Sequence, residues 1–579
     1  MTTTICDPFA FTSGRRDAPV LLVGEAWGAD EAVAKRPFVG SSGRELTRML
    51  MDARVSPTDV LMTNVVDSRP PGNEFTHFLY PTKGAPADAA FNGLYAKPEL
   101  RAGVSKLLAL IAAVKPKLII GAGNVPLWAL TSHAKVSTSA GYKLPSGIMS
   151  FRGSQLHTVP IDGVSYPFLP IIHPAAILRS WDLRSVTVHD LKTRAGRFLN
   201  GERPSWTEPP RHTLHRPTFK QAHAYLSYWI YLAGKQELLL ACDIETLARK
   251  YVVCLGLADN TREICLPFFG YTEAGEYFDY FSTTEEIEIW RLLSTLLRHP
   301  NTKIIGQNYM YDWQFLARLY GIDAPVSFDT MLAHHLLWPG TPKSLDYLAS
   351  LYCDHYVYWK DESQDWAATG GSEQLWLYNC KDVRATYDIA LELKSHIEKL
   401  KMTSLYESQL SQWRLTTRML RRGVNCNATI KSQMHTKLVE ASTEMEHFLL
   451  SCMPEALRYS STGTPWYNSP TMLTKILYEQ LKIPPVLHKK TKRPTSDATA
   501  IDAIKSKVPW LKPMLDVLEK YRSVNVFISH FLTARLGVDG RLRCAFNIGG
   551  TETFRWSSNE TAFGEGTNLQ NIPKGDKED

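Results

Sequence analysis

The sequence predicts a multidomain α/β protein in which two sheet-based domains precede a mostly helical region. A chain of 579 residues is too long for one hydrophobic core. Strand-length apolar runs alternate with amphipathic stretches over the first 200 residues, which is typical of a parallel sheet. A further apolar run ends in two acids, Asp243 and Glu245, and helical periodicity dominates after residue 400. The predicted domains are residues 1–200, a linker and lead-in over 201–235, then 236–400 and 401–579.

The composition is that of an ordinary globular protein, with 44% hydrophobic and 21% charged residues. A net charge of +7 permits a polyanionic partner without requiring one. The nine cysteines are scattered, so neither a zinc ribbon nor a disulfide framework is indicated. The N-terminus does not resemble a signal peptide, and the sequence lacks an apolar run of membrane-spanning length. These features predict a cytoplasmic protein without a membrane partner.

The first 200 residues contain four predicted strands, and polar groups follow them. In parallel α/β sheets, ligands bind at the carboxyl ends of the strands. The predicted strands are 19–23, 60–66, 117–120 and 168–172, with helices near 43–52, 98–114, 124–131 and 184–199.

An aromatic, an amide, a carboxylate and an imidazole collect at these strand ends. Phe38 could stack on a flat heterocycle, while Asn64 could hydrogen-bond its edge. Glu25 and His173 could stabilise charge. Taken singly, each residue is also explained by a loop cap, a turn or a helix terminus. Together they favour recognition of a flat, polar ring.

Four stretches of this domain resemble the family 4 uracil-DNA glycosylases. They are 24–43, 63–73, 117–123 and 173–179. The resemblance implies action on DNA, with the target base moved out of the stack. It places Glu25 and Glu31 by the sugar and the attacking water, and Phe38 against uracil. It also implies that Asn64 hydrogen-bonds the uracil edge and that His173 stabilises the departing uracil anion.

Two departures from that family matter. The family carries an iron–sulfur cluster on four cysteines, whereas this domain contains only Cys6, and Ser68 occupies one cysteine position. We therefore expect no iron–sulfur cluster. Trp27 replaces the usual proline beside Glu25 and could reshape the pocket. An active glycosylase and a domain that only binds DNA or uracil both remain open.

The stretch 200–212 is rich in proline and polar residues, which predicts an interdomain linker. A short amphipathic helix is expected over 218–233.

The next domain is centred on Asp243 and Glu245. In a strand, residues two apart point to the same side, so these like charges would repel one another. A cation between the two carboxylates would offset this repulsion, and hard oxygen ligands suit Mg²⁺. The alternative is a surface turn with two solvated acids.

Later segments supply partners for these acids. If residues 308–316 are helical, Asn308 and Asp312 share a face, and Tyr378 and Asp382 repeat that spacing. Four carboxylates suit a two-metal phosphoryl-transfer site, in which Tyr378 could orient the attacking water.

These segments, with 329–333 and 344–349, resemble the DEDDy 3′–5′ proofreading exonuclease domain of family A DNA polymerases. The resemblance implies a ribonuclease-H-like fold and release of nucleotides from single-stranded 3′ ends. It also implies two Mg²⁺ or Mn²⁺ ions on Asp243, Glu245, Asp312 and Asp382, with Asn308 near the substrate.

Residues 401–579 are predicted to be mostly helical, with helices near 403–421, 429–452 and 511–532 and a strand over 541–548. The basic loop 488–496 is either a linker or a phosphate contact. Residues 468–469 and 492–496 resemble the polymerase thumb. Residues 551–559 and 568–573 resemble the segment before the first palm motif, which implies that Arg555 and Gln570 contact primer–template DNA.

The palm aspartates and the fingers do not follow in this sequence. The leading hypothesis is the N-terminal portion of a replicative family A polymerase, in a bacterial or phage-infected cell. A separate chain would then carry the palm and fingers. The alternative is a stand-alone repair nuclease with a non-catalytic uracil- or DNA-binding module.

Overall fold

The computed structural model describes residues 7–202, 205–208, 210–489 and 491–572. The chain divides into two compact units. The first comprises residues up to Glu245 with Val252–Tyr309 and Ile322–Met402, and the second comprises Thr246–Tyr251, Met310–Gly321 and residues from Thr403 onward. The boundary predicted near residue 200 therefore lies inside the first unit.

A five-stranded sheet organises the first 200 residues. In spatial order its strands are Val60–Val66, Val20–Ala26, Leu118–Ala122, Pro167–Ile171 and Leu156–His157. The first four are parallel, and the last pairs antiparallel with its neighbour. Because Val20 lies opposite both Val60 and Leu118, the carboxyl ends of these strands share one edge. The parallel sheet predicted from the apolar runs is confirmed.

Helices cover both faces of this sheet. Side chains alternate along each strand, so Leu21 and Val23 enter one core while Val20 and Leu22 enter the other. The helices are Ala29–Ala34, Ser41–Asp52, Pro98–Val114, Asn124–Leu130, Ile148–Phe151, Pro174–Arg179, Leu183–Asp190 and Arg197–Leu199, with a π-helical turn at Leu191–Gly196. Two small hairpins pair Ala90–Phe91 with Leu94–Tyr95 and Lys135–Ser139 with Tyr142–Ser146.

A mixed six-stranded sheet organises the next region. In spatial order its strands are His212–Leu214, Arg262–Pro267, Tyr251–Ala258, Leu238–Leu247, Thr302–Gly306 and Val326–Asp329. The strand carrying Asp243 and Glu245 lies inside the sheet, parallel to Thr302–Gly306. A small hairpin pairs Phe269–Tyr271 with Tyr277–Asp279. The α/β class predicted from the sequence is confirmed.

The helices around this sheet have well-defined starts. Thr218 with Gln221, and Ser282 with Glu285, form capping boxes that satisfy the first backbone N–H groups. The helices are Phe219–Ala233, Thr283–Leu297, Thr330–Leu337, Leu345–Tyr352, Trp366–Thr369 and Ser372–Lys399.

The helix expected to hold both Asn308 and Asp312 begins later than predicted. It spans Met310–Leu319, and Asn308 precedes it with a left-handed φ of 55°. The backbone N–H of Tyr309 donates to Asp329 Oδ2 at 2.9 Å, which holds the chain in a turn before the helix. The predicted one-turn spacing of Asn308 and Asp312 is therefore wrong.

The second unit is mostly helical, as the sequence predicts. Its core includes Leu449, Trp466, Leu477, Leu515 and Leu518. Its helices are Met310–Leu319, Thr403–Arg422, Ala428–Ser451, Glu455–Arg458, Pro470–Thr474, Ala498–Lys507 and Lys512–Phe527, with π-helical turns at Lys475–Gln480 and Ile528–Leu532. The strand predicted over 541–548 is divided: Arg541–Leu542 pairs with Val424–Asn425, and Ala545–Asn547 pairs with Ser557–Asn559. Across the described ranges, every helix is too short or too polar to cross a membrane.

The described part of the segment predicted to be an interdomain linker is packed within the first unit. Trp206 is only 5% exposed, and its indole N–H donates to the carbonyl of Leu156 at 2.8 Å. Gln155 Nε2 donates to the carbonyl of Trp206 at 3.0 Å. Arg211 forms an ion pair with Asp388. The proline-rich composition gave no sign of this aromatic anchor.

Replacing the anchor should release this segment. We expect Trp206→Ala to weaken local packing by about 3–5 kcal/mol, because a large buried side chain is removed. Tryptic cleavage after Arg211 should then become faster, as followed by mass spectrometry.

The matched control is Trp181→Ala, which removes a tryptophan that is 59% exposed on the same unit. Equal cleavage rates in the two variants would show that Trp206 does not hold the segment.

Candidate active sites

Three carboxylates meet beside the six-stranded sheet. Asp243 and Glu245 come from the strand Leu238–Leu247, and Asp382 comes from the helix Ser372–Lys399. One oxygen from each lies within 4.8 Å of the other two. Strand alternation explains why the first two share a face. This is a hard-oxygen donor set of the kind that divalent cations prefer.

The electrostatics of this cluster favour a cation. Burial, followed by the nearby carboxylate of Asp382, raises the pKa of Asp243 to about 7. Burial also raises the pKa of Asp382, although the ammonium of Lys360 opposes that shift. Closely spaced acids with raised pKa values repel one another when ionised. The residues present therefore fit a site for divalent metal ions.

Three further side chains hold these acids in place. Trp359 Nε1 and Lys360 Nζ each donate to Asp382 at 2.6 Å, one to each carboxylate oxygen. Asn379 Nδ2 donates to Asp243 Oδ2 at 2.9 Å and is fully buried. Sequence reasoning missed all three. Asn379 could have been found from its position on the helix face beside Asp382, whereas Trp359 and Lys360 lie in a loop without a recognisable pattern.

Tyr378 lies one helical turn before Asp382, as the sequence spacing predicts. Its hydroxyl accepts a hydrogen bond from Lys360 Nζ at 2.7 Å. Burial raises its pKa far above the ordinary value for a phenol. The phenol therefore keeps its proton and can donate it to a neighbouring oxygen.

Three of the remaining residues predicted for DNA chemistry, Asp312, Arg555 and Gln570, belong to the second unit. Asp312 is buried in the first turn of the helix Met310–Leu319, which belongs to the second unit. Its membership of the carboxylate cluster stays a prediction. Arg555 and Gln570 are both exposed on the second unit. Gln570 Nε2 donates to the carbonyl of Trp556 at 3.1 Å, so it is held beside the residue that follows Arg555.

A second candidate site lies at the carboxyl edge of the five-stranded sheet. Asn64 and Phe38 converge on Gly24, where a Cβ atom would lie 2.2 Å from Asn64 Oδ1 and 2.6 Å from Phe38 Cζ. A Cβ atom here would displace both side chains, so glycine keeps this space open for them. Gly43 is restricted more strongly, since its Cβ would lie 1.8 Å from the backbone carbonyl oxygen of Phe38. The sheet thus brings together the aromatic and amide groups that the sequence suggested.

His173 is held as a neutral imidazole at this edge. It caps the helix Pro174–Arg179, where its Nδ1 accepts from the N–H of Ala175 at 3.1 Å. Burial, followed by the charge of Arg179, lowers its pKa to about 4. With Nδ1 as an acceptor, the neutral ring carries its proton on Nε2 and can donate from that atom.

The two glutamates of this edge differ in environment. Burial raises the pKa of Glu25 to about 7, although the charge of Arg179 opposes the shift. Glu31 Oε1 accepts from the N–H of Gly40 at 3.0 Å, which ties the helix Ala29–Ala34 to the loop carrying Phe38. Glu25 is thus suited to proton exchange near neutral pH, and Glu31 fixes the loop.

The residues around Ser68 do not fit an iron–sulfur cluster. Ser68 Oγ donates to the carboxylate of Glu99. The indole of Trp27 is buried edge-on against Phe11, with ring centroids 5.3 Å apart. Residues 7–202 contain no cysteine, and Cys6 lies outside the described residues. The donor set for such a cluster is therefore missing from the described part of this domain.

Comparison with known proteins identifies both sheet-based regions. Residues 11–192 match the uracil DNA glycosylase superfamily. The type-4 uracil-DNA glycosylase of Pyrobaculum aerophilum is 31% identical over 198 residues, which cover 32% of this chain and 84% of that protein. The chain belongs to the uracil DNA glycosylase superfamily.

Residues 225–398 match the 3'-5' exonuclease family. DNA polymerase I of Borreliella burgdorferi is 24% identical over 286 residues, covering 48% of this chain and 29% of that protein. The DNA polymerase of Bacillus phage SP01 is 21% identical over 640 residues, covering 97% of this chain and 63% of that protein. A glycosylase-family domain is thus followed in this chain by a 3′–5′ exonuclease domain of the A-family polymerase type.

The raised pKa of Glu25 makes stability depend on pH. The folded protein holds this proton up to about pH 7, compared with an ordinary pKa of 4.5, so stability falls as pH rises between these values. The loss amounts to roughly 3 kcal/mol at most. Glu25→Gln should remove it. The variant should match the wild type near pH 4 and be more stable at pH 8, as measured by thermal unfolding.

The exposed Glu74 supplies the control Glu74→Gln, which should keep the wild-type pH dependence. Parallel pH profiles for wild type and Glu25→Gln would contradict the burial of this carboxyl group.

Proposed function

We propose that the carboxylate site removes nucleotides from DNA 3′ ends by two-metal hydrolysis, as the proofreading activity of an A-family polymerase. The observation that carries this proposal is the convergence of Asp243, Glu245 and Asp382 beside Tyr378. The exonuclease family of residues 225–398 supports it.

The roles of the side chains follow from their contacts. Asp243, Glu245 and Asp382 would hold two Mg²⁺ or Mn²⁺ ions, which activate water and stabilise the in-line displacement when bound. Lys360 donates to the hydroxyl oxygen of Tyr378, whose phenol also hydrogen-bonds with Asp382, and Tyr378 would orient the attacking water when metal is bound. Asp312 is proposed as a fourth ligand, and Asn308 as a contact to the 3′-terminal nucleotide.

Arg555 and Gln570 are proposed to bind the backbone of primer–template DNA. Both side chains are exposed, and Gln570 is hydrogen-bonded beside the chain neighbour of Arg555. Phosphate and sugar contacts of this kind position DNA without selecting sequence. A separate chain carrying palm and fingers stays a prediction, as does nucleotide addition.

A second proposed activity is excision of uracil from DNA. The observation in its favour is the convergence of Phe38 and Asn64 on Gly24, with a neutral His173 at the same sheet edge. Phe38 would stack on the extruded base, and Asn64 would hydrogen-bond its edge. His173 would donate from Nε2 to the oxygen that gains charge as uracil leaves. Glu25 and Glu31 would orient water at the sugar.

The alternative is a domain that binds uracil-containing DNA without excising the base. Trp27 stands beside Glu25, and its indole is buried against Phe11 rather than exposed. Only an active glycosylase would release free uracil, so this product distinguishes the two alternatives.

Removing one metal ligand should abolish 3′ trimming. We expect Asp243→Asn to slow Mg²⁺-dependent removal of 3′ nucleotides by more than about 100-fold, since loss of a supporting partner alone costs up to that much. Without metal the variant should be at least as stable as wild type, because a repelling charge is removed. Trimming is followed on labelled single-stranded DNA.

Asp279→Asn changes an exposed aspartate of the same unit and should trim normally. Wild-type trimming by purified Asp243→Asn would refute the exonuclease assignment.

Removing the amide should abolish uracil excision if the glycosylase site is catalytic. We expect Asn64→Ala to lower release of uracil from single-stranded DNA by about 100-fold or more, the usual cost of one catalytic hydrogen-bonding group. Asn200→Ala, at an exposed position of the same domain, should leave release unchanged. Absence of uracil release by the wild type, together with binding of uracil-containing DNA that Asn64→Ala weakens, would favour the binding-only alternative.

A further inference from the structure

One loop of the exonuclease domain is held by the glycosylase-family domain. This loop, residues 353–361, follows the helix Leu345–Tyr352 and contains neither helix nor strand. Its backbone polar groups need partners outside the loop. Several of those partners belong to the glycosylase-family domain.

The backbone of the loop is hydrogen-bonded to two adjacent residues of the glycosylase-family domain. Gln155 donates its N–H to the carbonyl of Tyr356 at 2.8 Å, and its Oε1 accepts from the N–H of Tyr356 at 3.2 Å. The N–H of Tyr358 donates to Ser154 Oγ at 3.2 Å. Ser154 is fully buried, and Gln155 is 5% exposed. Two adjacent residues thus fix the path of the loop.

A buried arginine fixes the start of the loop. Arg194 is 1% exposed, and its guanidinium donates to the carbonyls of Ser350, Cys353 and Asp354 at 2.9, 2.9 and 2.7 Å. The same group donates to the carbonyl of Gly153 at 3.3 Å, next to Ser154.

Side chains strengthen the attachment. The ring of Tyr358 packs edge-on against Phe151, with centroids 5.0 Å apart. Lys135 lies over the ring of Tyr358 at 5.2 Å and forms an ion pair with Asp361.

The next two residues of the loop contact the exonuclease site. Trp359 and Lys360 together donate to both carboxylate oxygens of Asp382, and Lys360 also donates to Tyr378. Trp359 follows directly on Tyr358, whose N–H is bonded to Ser154. Tyr358, which is bonded to the glycosylase-family domain, and Trp359, which donates to Asp382, are therefore neighbours in the chain.

We propose that the glycosylase-family domain positions Asp382 for exonuclease chemistry through this loop, and that Ser154 and Gln155 are positioning residues for 3′ trimming. This inference rests on the proposed exonuclease function. Two fixed donors restrict the rotamer of Asp382, and loss of such outer partners typically weakens metal binding by about 10–100-fold. Freeing the loop should therefore weaken metal binding at a site in the neighbouring domain.

Three measurements on the full chain test the inference. Mn²⁺ binding without DNA is followed by electron paramagnetic resonance, loop opening by amide exchange at Tyr356 and Tyr358, and trimming on single-stranded DNA. We expect Ser154→Ala and Gln155→Leu to speed exchange and to weaken Mn²⁺ binding by roughly threefold or more, the scale of one lost hydrogen bond. Ser105→Ala is the matched control, because its hydroxyl bonds only within its own helix.

A double-mutant cycle tests whether Gln155 acts on Asp382 through Trp359. Trp359→Phe keeps the ring but removes the donor to Asp382, and we expect Mn²⁺ binding to weaken by about tenfold. In the Trp359→Phe background, Gln155→Leu should weaken Mn²⁺ binding much less than it does in the wild type, because the hydrogen bond from the loop to Asp382 is already lost. Gln155→Leu and Trp359→Phe also keep the test decisive if Ser154→Ala does not fold.

The outcomes separate this inference from the exonuclease proposal. Faster exchange with Mn²⁺ binding and trimming equal to Ser105→Ala would overturn the positioning role. Additive effects of Gln155→Leu and Trp359→Phe would also overturn it. If the wild type does not trim DNA but Mn²⁺ binding weakens as expected, the exonuclease proposal fails while the positioning of Asp382 stands.

Discussion

The constraint on which the exonuclease region depends is the confinement of three acids in a small, largely buried space. Each carboxylate raises the energy of the others, and burial adds to that cost. The protein meets it with fixed donors: Asn379 for Asp243, and Trp359 with Lys360 for Asp382. These donors cannot come from the strand itself, whose backbone is committed to the sheet. They come from a helix and a loop, and so the orientation of the carboxylates depends on the positions of both elements.

Much of this architecture follows from local pattern. Continuous apolar runs located the strands around Val20 and Leu240, because strands that are buried on both faces of a parallel sheet carry hydrophobic residues at successive positions. The pairing of Tyr378 with Asp382 followed from helical spacing alone. Asn308 was misplaced because a tertiary hydrogen bond to Asp329 delays the start of its helix. The packing of Trp206 was missed because a proline-rich composition indicates a stiff segment, but it does not indicate which residues a tryptophan in that segment contacts.

The glycosylase-family site shows one physical cause with opposite effects on two groups. Burial raises the pKa of Glu25 to about 7 and lowers that of His173 to about 4, because it disfavours charge on either. The imidazole is therefore neutral at physiological pH, and the carboxyl group is near its titration midpoint. The sequence identified both residues, but their charge states depend on the surrounding sheet and on Arg179, which a linear pattern does not convey.

The buried guanidinium of Arg194 has a practical consequence for genetics. A fragment lacking residues 1–200 would leave the carbonyls of Ser350, Cys353 and Asp354 without this donor, and a fragment ending there would remove those three acceptors from the Arg194 guanidinium. Deleting either half therefore damages the other. The phenotype of a deletion strain would therefore not report the loss of one domain alone, so single-residue alleles are the better way to separate the two proposed activities in cells.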